Sequence, residues 1–372
     1  MFGIILVSAC TLMHVYVFWR AASVPLLVRY IPRMLFIGAG VALWTICIFT
    51  RIAGHGGTGA LAGMLELLGM NWLGVLFLTS VALLTVDLVT GFGYLLPGRS
   101  PSLRGWALIA GGLLSVFALF QGLQPPVIEQ YEERLPGLPA EMDGTVLVVM
   151  SDLHLGSQLG GKWLAKRVAQ VQAERPDLVV LLGDIFEGHG ASPGTLLPVL
   201  RRLSAPLGVW AVPGNHEFYG GVATNMNLIS SAGVQVLRNR WIEVRPRLIL
   251  AGIDDLTAAH RSGRIDDFIS QALADRPPGA TVLLSHTPWQ AETAARSGVN
   301  LMLSAHTHGG QIWPLGYLIR IVYPLLEGRY DVEGMPVIVC RGTGTWGPRM
   351  RLWRPGEILR ITLRVSPEFA VR

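Results

Sequence analysis

The sequence predicts an α/β domain of buried strands alternating with helices, preceded by a helical membrane region of about four spans. Three observations carry this expectation: apolar stretches confined to the first third of the chain, a switch after residue 144 to short apolar runs that each stop at a polar motif, and helical stretches between some of those runs.

Hydrophobic residues make up 51% of the chain and charged residues 15%, too apolar for one ordinary soluble domain. The excess is local. Residues 2–19, 34–50, 72–96 and 105–123 are apolar stretches near the length needed to cross a hydrocarbon core of roughly 30 Å as a helix. The first has no basic segment before it and three further stretches after it, so a retained helix is expected rather than a cleaved signal peptide.

The isoelectric point of about 9.4 invites a nucleic-acid reading, but the positive charge sits in the wrong place. Within residues 1–125, Arg20, Arg29, Arg33, Arg51, Arg99 and Arg104 face only Glu66 and Asp87, so most of the net charge of +5 flanks the apolar stretches. A nucleic-acid duplex is therefore not an expected partner. The loops holding Arg20, Arg29 and Arg33 and then Arg99 and Arg104 are expected on the cytoplasmic side. Both termini and the α/β domain then fall on the extracytoplasmic side of a multi-pass cell-membrane protein. Cys10 and Cys47 lie in expected spans and Cys340 alone lies beyond them, so the α/β domain has no disulfide framework of its own. His14 reads as an interfacial or helix–helix contact. Asp87 is a costly intramembrane carboxylate, although its place near a span end permits a wet environment.

Residues 124–144, QPPVIEQYEERLPGLPAEMDG, break both helical and strand periodicity and read as a linker. From Thr145 to the C-terminus the apolar runs TVLVVM, DLVVLLG, VWAVPG, TVLLS and VNLMLSA end at Asp152, Asp184, Asn215, His286 and His306. Helices are expected over Lys162–Ala173 and Asp266–Ala274. Polar residues just past strand ends describe an open α/β sheet with its site along one edge.

The motifs are SDLHLG at 151–156, LLGDIFE at 181–187, PGNHEF at 213–218, LLSHTP at 283–288 and SAHTHGGQ at 304–311. Together they carry the donor set of a two-cation site, in which ions roughly 3.5–4 Å apart share a bridging carboxylate. Asp152 and His154 alternate on one side of an extended segment, as do His306 and His308. Asp184 is the natural bridge, Asn215 offers a neutral oxygen and His286 an imidazole. Such mixed N/O ligands suit Mn²⁺, Fe²⁺/Fe³⁺ and Zn²⁺ alike.

The ordered set Asp-x-His, Gly-Asp, Gly-Asn-His-Glu, His and His-x-His resembles the calcineurin-like metallophosphoesterases across roughly residues 145–365. The tail, from GGQIWP through CRGTGTWGPRMRLWRPGEILRITLR, is more narrowly similar to bacterial membrane-associated members with an N-terminal bundle of about four helices. The resemblance implies a metallophosphoesterase-type two-sheet sandwich flanked by helices, α/β/β/α. It implies one divalent metal held by Asp152, His154, Asp184 and His308, and a second held by Asp184, Asn215, His286 and His306. It makes His216 the proton donor to the leaving oxygen, beside Asn215 in contact with substrate, while a metal-bridging hydroxide attacks phosphorus. The family usually has Gly where Ala305 stands before the His-x-His pair. If that position needs positive φ, alanine strains the loop by ~1 kcal/mol.

Other polar residues have plainer readings. Glu187 fits a supporting or surface role better than direct ligation, Asp254 and Asp255 fit turns or caps, and His189 and His260 fit solvated loops. Arg341, Arg349, Arg351 and Arg354, interleaved with Trp346 and Trp353, either approach lipid headgroups, line the cleft through Arg341 or Arg349, or form a solvated loop.

The expected activity is hydrolysis of a phosphodiester or related phosphate ester in a lipid-linked or envelope substrate, with the bilayer as the other partner. No obligatory protein partner is evident. A general phosphodiesterase with a passive anchor and a non-catalytic metal-bound scaffold are the competing classes. LLGDIFE is also similar to the related pyrophosphatases acting on UDP-diacylglucosamine, which stand as the alternative substrate reading.

Overall fold

The computed structural model describes residues 2–50, 59–187, 193–219, 221–264 and 267–367. Arg51, His189 and Asp266 lie outside the described residues. Contacts divide the chain into a helical unit, Met1–Gln124 with Gly347–Trp353, and an α/β unit, Pro125–Trp346 with Arg354–Arg372.

The helical unit contains α1 (Phe2–Ala21), α2 (Pro25–Tyr30), α3 (Arg33–Phe49), α4 (Ala60–Val89) and α5 (Ser100–Leu123). Two of these, over Leu61–Val89 and Ser100–Leu123, are long and apolar enough to cross a membrane. The 17 residues of α3 reach about 26 Å at 1.5 Å per residue, at the lower limit for crossing a hydrocarbon core. The stretch expected over 72–96 is displaced. Its helix begins at Ala60, carries Glu66 and Asn71 without interruption, and ends at Val89 ahead of a 3-10 turn over Gly91–Gly93.

Asp87 is fully buried, so the wet environment that its place near a span end permits is not the one it has. Arg20 Nε lies 2.7 Å from Oδ2, Arg104 Nε donates to Oδ1 at 3.0 Å, and Tyr16 OH donates to Oδ2 at 2.7 Å. The carboxylate thereby ties α1, α4 and α5 together. His14 is the helix–helix contact expected, stacked on Phe18 at 4.5 Å and within 3.5 Å of Trp72 Nε1.

The late Arg/Trp segment, expected as part of the α/β domain, instead gives residues 347–353 to the helical unit. Backbone N–H groups of Arg349, Arg351 and Trp353 donate to Asn71 Oδ1, Ala118 O and Gln121 Oε1 at 2.9, 2.9 and 2.6 Å. Arg351 is buried, so this stretch is not the solvated loop weighed from sequence.

The α/β unit begins before the expected boundary. Residues 127–135 of the expected linker form β1 (Val127–Leu135), parallel to the last strand, β12 (Glu357–Val365). Its charges hide a strand because they are paired. Glu133 accepts from Arg329 Nε at 2.6 Å and Glu129 from Arg341 NH2 at 2.7 Å, while Leu135 on the same face enters the core. Between these ends run β2 (Thr145–Met150), α6 (Gly161–Ala173), β3 (Leu178–Leu182), α7 (Pro193–Leu200), β4 (Val209–Val212), α8 (Asn215–Tyr219), α9 (Val222–Ser231) and β5 (Gln235–Val236). They are followed by β6 (Arg240–Arg245), β7 (Leu248–Gly252), α10 (Leu256–Arg261), α11 (Phe268–Leu273), β8 (Ala280–Leu284), α12 (Ala291–Arg296), β9 (Leu301–Ser304), α13 (Leu315–Ile319), β10 (Gly328–Val332) and β11 (Met335–Val339).

The strands form two six-stranded sheets, in order β1-β12-β2-β3-β4-β5 and β10-β11-β9-β8-β7-β6. Leu147, Val149 and Val180 of one meet Leu250, Val282 and Leu303 of the other in a shared core. On the first sheet's outer face Val148, Val179 and Leu181 pack against Leu164 and Val168 of α6, Leu196 of α7 and Ile229 of α9. On the second, Ala251, Leu283 and Met302 pack against Leu256 of α10, Phe268 of α11 and Ala294 of α12. The layers are helix, sheet, sheet, helix. Strands covered on both faces explain the uninterrupted apolar runs in β2, β3 and β8.

Candidate metal centre

Each metal-ligand candidate follows the C-terminal end of a strand: β2 leads to Asp152 and His154, β3 to Asp184, β4 to Asn215, β8 to His286, and β9 to His306 and His308. Parallel strands deliver these ends to one edge. The turns that follow are left-handed, with φ of 50° at Asp152, 44° at His154, 49° at Asp184, 70° at His306 and 52° at His308. Non-glycine residues adopt such φ at a cost of order 1–3 kcal/mol each, and such costs concentrate at functional sites. Ala305 is outside this region of φ, and its methyl is buried in the inter-sheet core. The substitution therefore carries no backbone strain; His306 takes the left-handed turn instead. Two glycines are required by close approach. A Cβ at Gly183 would lie 2.6 Å from His286 Nδ1, and one at Gly214 would overlap Asp184 Oδ1.

Potential ligand atoms of Asp152, His154 and His308 lie within 4.8 Å of one another, as do those of Asp184, His286 and His306. Asp184 Oδ2 faces both groups, 3.9 Å from His154 Nε2 and 3.2 Å from His286 Nε2. Within the first group His154 Nε2 and His308 Nε2 approach to 3.1 Å, and within the second His286 Nε2 and His306 Nδ1 to 3.3 Å. Imidazole nitrogens converge this closely where a shared cation accepts their lone pairs.

Surrounding groups fix which atoms face inward. His154 Nδ1 contacts Glu187 Oε2 at 2.6 Å, and His286 Nδ1 contacts Leu182 O at 2.7 Å, leaving each Nε2 for the centre. Glu187 thus has the supporting role expected of it. Ser151 Oγ donates to Asp152 Oδ2 at 2.7 Å, and Asn215 Nδ2 donates to Tyr219 OH at 3.1 Å. The other oxygens, Asp152 Oδ1 and Asn215 Oδ1, are buried with no hydrogen-bond partner among the described residues, which fits them to ligate a cation. The donor set fits two divalent metals.

The charge balance points the same way. Burial opposes the charged form of His154, yet Glu187, Asp184 and Asp152 push its pKa up to about 9. His286 is likewise held well above its ordinary value against burial, chiefly by Asp184. Burial works against the Asp184 carboxylate, but His286 and His216 hold it well below the usual range. Burial and the neighbouring His286 push His306 down to about 3. In the metal-free protein, protons on His154 and His286 thus supply positive charge that the carboxylates require.

His216 is buried beside the first group, its ring edge-on to His154 at 4.7 Å. Its Nδ1 lies 3.4 Å from the Glu187 carbonyl and 3.9 Å from Oε2, so the backbone oxygen rather than a carboxylate orients it. A ring nitrogen of His216 also falls within 4.8 Å of ligand atoms of His154 and Asp184.

Three contributors escaped the sequence reading. Glu217, fully buried, accepts from the backbone N–H groups of Asp184 and Gly214 through Oε2 at 2.9 and 2.8 Å, and from Ile185 and Phe186 through Oε1 at 2.9 and 3.0 Å. Its position in PGNHEF was visible, but its partners are main-chain atoms. Tyr323 OH contacts His306 Nε2 at 2.9 Å, and Arg261 donates to Tyr219 OH; neither has a motif signal.

The remaining candidates have partners away from the two ligand groups. Arg341 is held by Glu129 and Glu357 at 2.7 and 2.6 Å, and Arg349 belongs to the helical unit. Asp255 caps α10, accepting from Ala258 N at 2.7 Å, and Asp254 pairs with Arg238 at 2.7 Å. His260 is exposed, edge-on to Trp289 at 6.0 Å.

A sandwich of two sheets with histidine and aspartate side chains gathered at one strand edge is the fold and donor set of a metal-binding α/β protein. The calcineurin-like phosphoesterase family model matches residues 145–310. A metallophosphoesterase of Aquifex aeolicus is 32% identical, covering 64% of this chain and 91% of its own length. One of Bacillus subtilis is 31% identical, covering 72% and 96%. A protein of Bos taurus described as a transmembrane protein with metallophosphoesterase domain is 33% identical over 276 residues, 70% of this chain. The chain spans 62% of the length of that relative and of its Danio rerio counterpart. The chain belongs to the calcineurin-like metallophosphoesterase family.

Proposed function

We propose that the chain is a membrane-anchored phosphoesterase that hydrolyses a phosphodiester or related phosphate ester in a lipid-linked substrate. The observation that carries this reading is Asp184 Oδ2 facing both ligand groups, 3.9 Å from His154 Nε2 and 3.2 Å from His286 Nε2. Asp152, His154, Asp184 and His308 would hold one divalent metal, and Asp184, Asn215, His286 and His306 the other. When bound, such metals activate water and neutralise charge on a phosphoryl group. Asn215, aligned by Tyr219, helps fix substrate beside His216. The Nδ1–H of His216 donates to the Glu187 carbonyl, which leaves Nε2 to deliver a proton to the leaving oxygen.

Two helices of spanning length and the name of the Bos taurus relative support anchoring. The reading adds α1 and α3 as further spans, with the arginine-bearing loops in the cytoplasm and the α/β unit outside it. The test of chemistry uses detergent-purified protein with Mn²⁺ and paired substrates differing in leaving group. His216→Ala loses most turnover on alkyl esters, by about 10²–10⁴-fold, and much less on activated aryl esters, with metal content unchanged. Equal losses on both would remove His216 as the acid.

A further inference from the structure

Between the His308–Gly310 turn and Tyr323 the chain makes an excursion whose two ends are fixed at the metal centre. At one end Gln311 exchanges two hydrogen bonds with the Trp346 backbone, each 3.0 Å; at the other Tyr323 OH meets His306 Nε2. Between them Tyr317, Leu318, Ile321 and Val322 are 66, 61, 77 and 55% exposed, with Trp313 also open to solvent. Leu315 and Ile319 face the other way and are half-buried, and Ile312 and Leu326 are buried, so the excursion is amphipathic and seated on its domain. Soluble surfaces rarely group so many large apolar side chains. Tryptophan and tyrosine beside branched aliphatics form the composition that settles at the level of lipid headgroups.

We propose that the 313–322 loop inserts into the headgroup region of a lipid bilayer and admits a phosphorylated amphiphile from that bilayer to the adjacent metal centre. This rests on the membrane-anchored phosphoesterase reading and names where its substrate enters. The bilayer is the occupant for two reasons. The same chain carries helices over Leu61–Val89 and Ser100–Leu123 that are long and apolar enough to cross a membrane, which tethers this domain to a lipid surface. The one charged residue between Gln311 and Glu327 is the exposed Arg320, suited to anionic headgroups. Headgroup contact, weighed from sequence for residues 341–354, is thereby assigned to an earlier segment, since residues 347–353 are packed among helices.

All three cysteines are buried, so a fluorophore on Tyr317→Cys in the full chain reports on the loop, and one on Val116→Cys reports on the exposed face of α5. Each is reconstituted in vesicles of phosphatidylethanolamine and phosphatidylglycerol with brominated or unmodified acyl chains. The expected result is that bromination lowers emission at position 317 by at least about twofold, and that adding Leu318→Asp with Ile321→Asp abolishes this effect. Turnover of bis(p-nitrophenyl) phosphate stays unchanged in the double variant. A probe at 317 that ignores brominated lipid and remains open to aqueous iodide overturns the proposal. A probe shielded from both overturns it too, because protein, such as a second copy of the chain, then covers the loop. Quenching at 116 without quenching at 317 sinks the loop alone; no quenching at 116 fails the anchoring reading; and absent aryl-ester turnover in the wild type fails the phosphoesterase reading.

Discussion

Replacing Glu217 by glutamine removes one formal charge and almost no volume, yet it should disable the centre. The two carboxylate oxygens accept four backbone N–H groups, two on Oε1 from Ile185 and Phe186 and two on Oε2 from Asp184 and Gly214. A glutamine has one oxygen and one NH₂, so whichever way the amide turns, two buried N–H donors face another donor. Each unmet buried donor costs about 1–3 kcal/mol, which puts the change at roughly 2–6 kcal/mol. The loss falls on the joint between the loops carrying Asp184 and Asn215, so two candidate ligands are displaced together. Burial and the Asp184 carboxylate also push Glu217 up to about 7 in the metal-free protein, so cations near Asp184 favour its charged, four-bond form. Denaturant unfolding and metal titration of detergent-purified Glu217→Gln measure both effects. Expected are a loss of stability in that range and weaker metal binding. Unchanged unfolding with undiminished metal affinity would refute the reasoning.

Two further outcomes follow from the charges. His154 has its pKa raised from 6.5 to about 9 in the metal-free fold, so the stability it contributes is complete below pH 6.5 and disappears as pH rises through about 9. Chelator-treated protein should lose up to ~3 kcal/mol over that window, while metal affinity rises because protons no longer compete. Metal-loaded and chelated protein with identical pH profiles in denaturant unfolding would contradict this. In the helical unit, Asp87→Ala strips the carboxylate from buried Arg20 and Arg104 and should cost about 3–5 kcal/mol, read as a lower unfolding temperature in detergent. An unaltered melting curve would show that the triad is not what ties α1, α4 and α5.

The candidate ligand set could be named from sequence because each candidate is a side chain whose chemistry is visible in its residue type, placed where an apolar run stops. Asp152, His154, Asp184, Asn215, His286, His306 and His308 all follow strands ending on one edge. Supporting residues were legible only where they stand in a motif and bond another side chain. Glu187 could be weighed from its place three residues past Asp184, but Glu217 bonds four main-chain groups, and Tyr323 reaches His306 from a loop with no motif. The β1 strand was obscured because Glu129 and Glu133 read as solvated until Arg341 and Arg329 are seen opposite them. The helix that begins at Ala60 was placed too late for a related reason. Glu66 and Asn71 look like a helix boundary, yet they sit within a continuous 30-residue helix. The exposed 313–322 segment was quoted within the family-like tail, but hydropathy alone does not distinguish an apolar loop turned outward from one packed inward.

The most direct measurement is the metal content of active, purified protein beside that of Asp184→Asn. A shared aspartate predicts about two divalent cations per wild-type chain, with occupancy of both falling together in the variant and activity falling with them. A fully active wild type holding a single cation, or an Asp184→Asn chain that retains both, would contradict it.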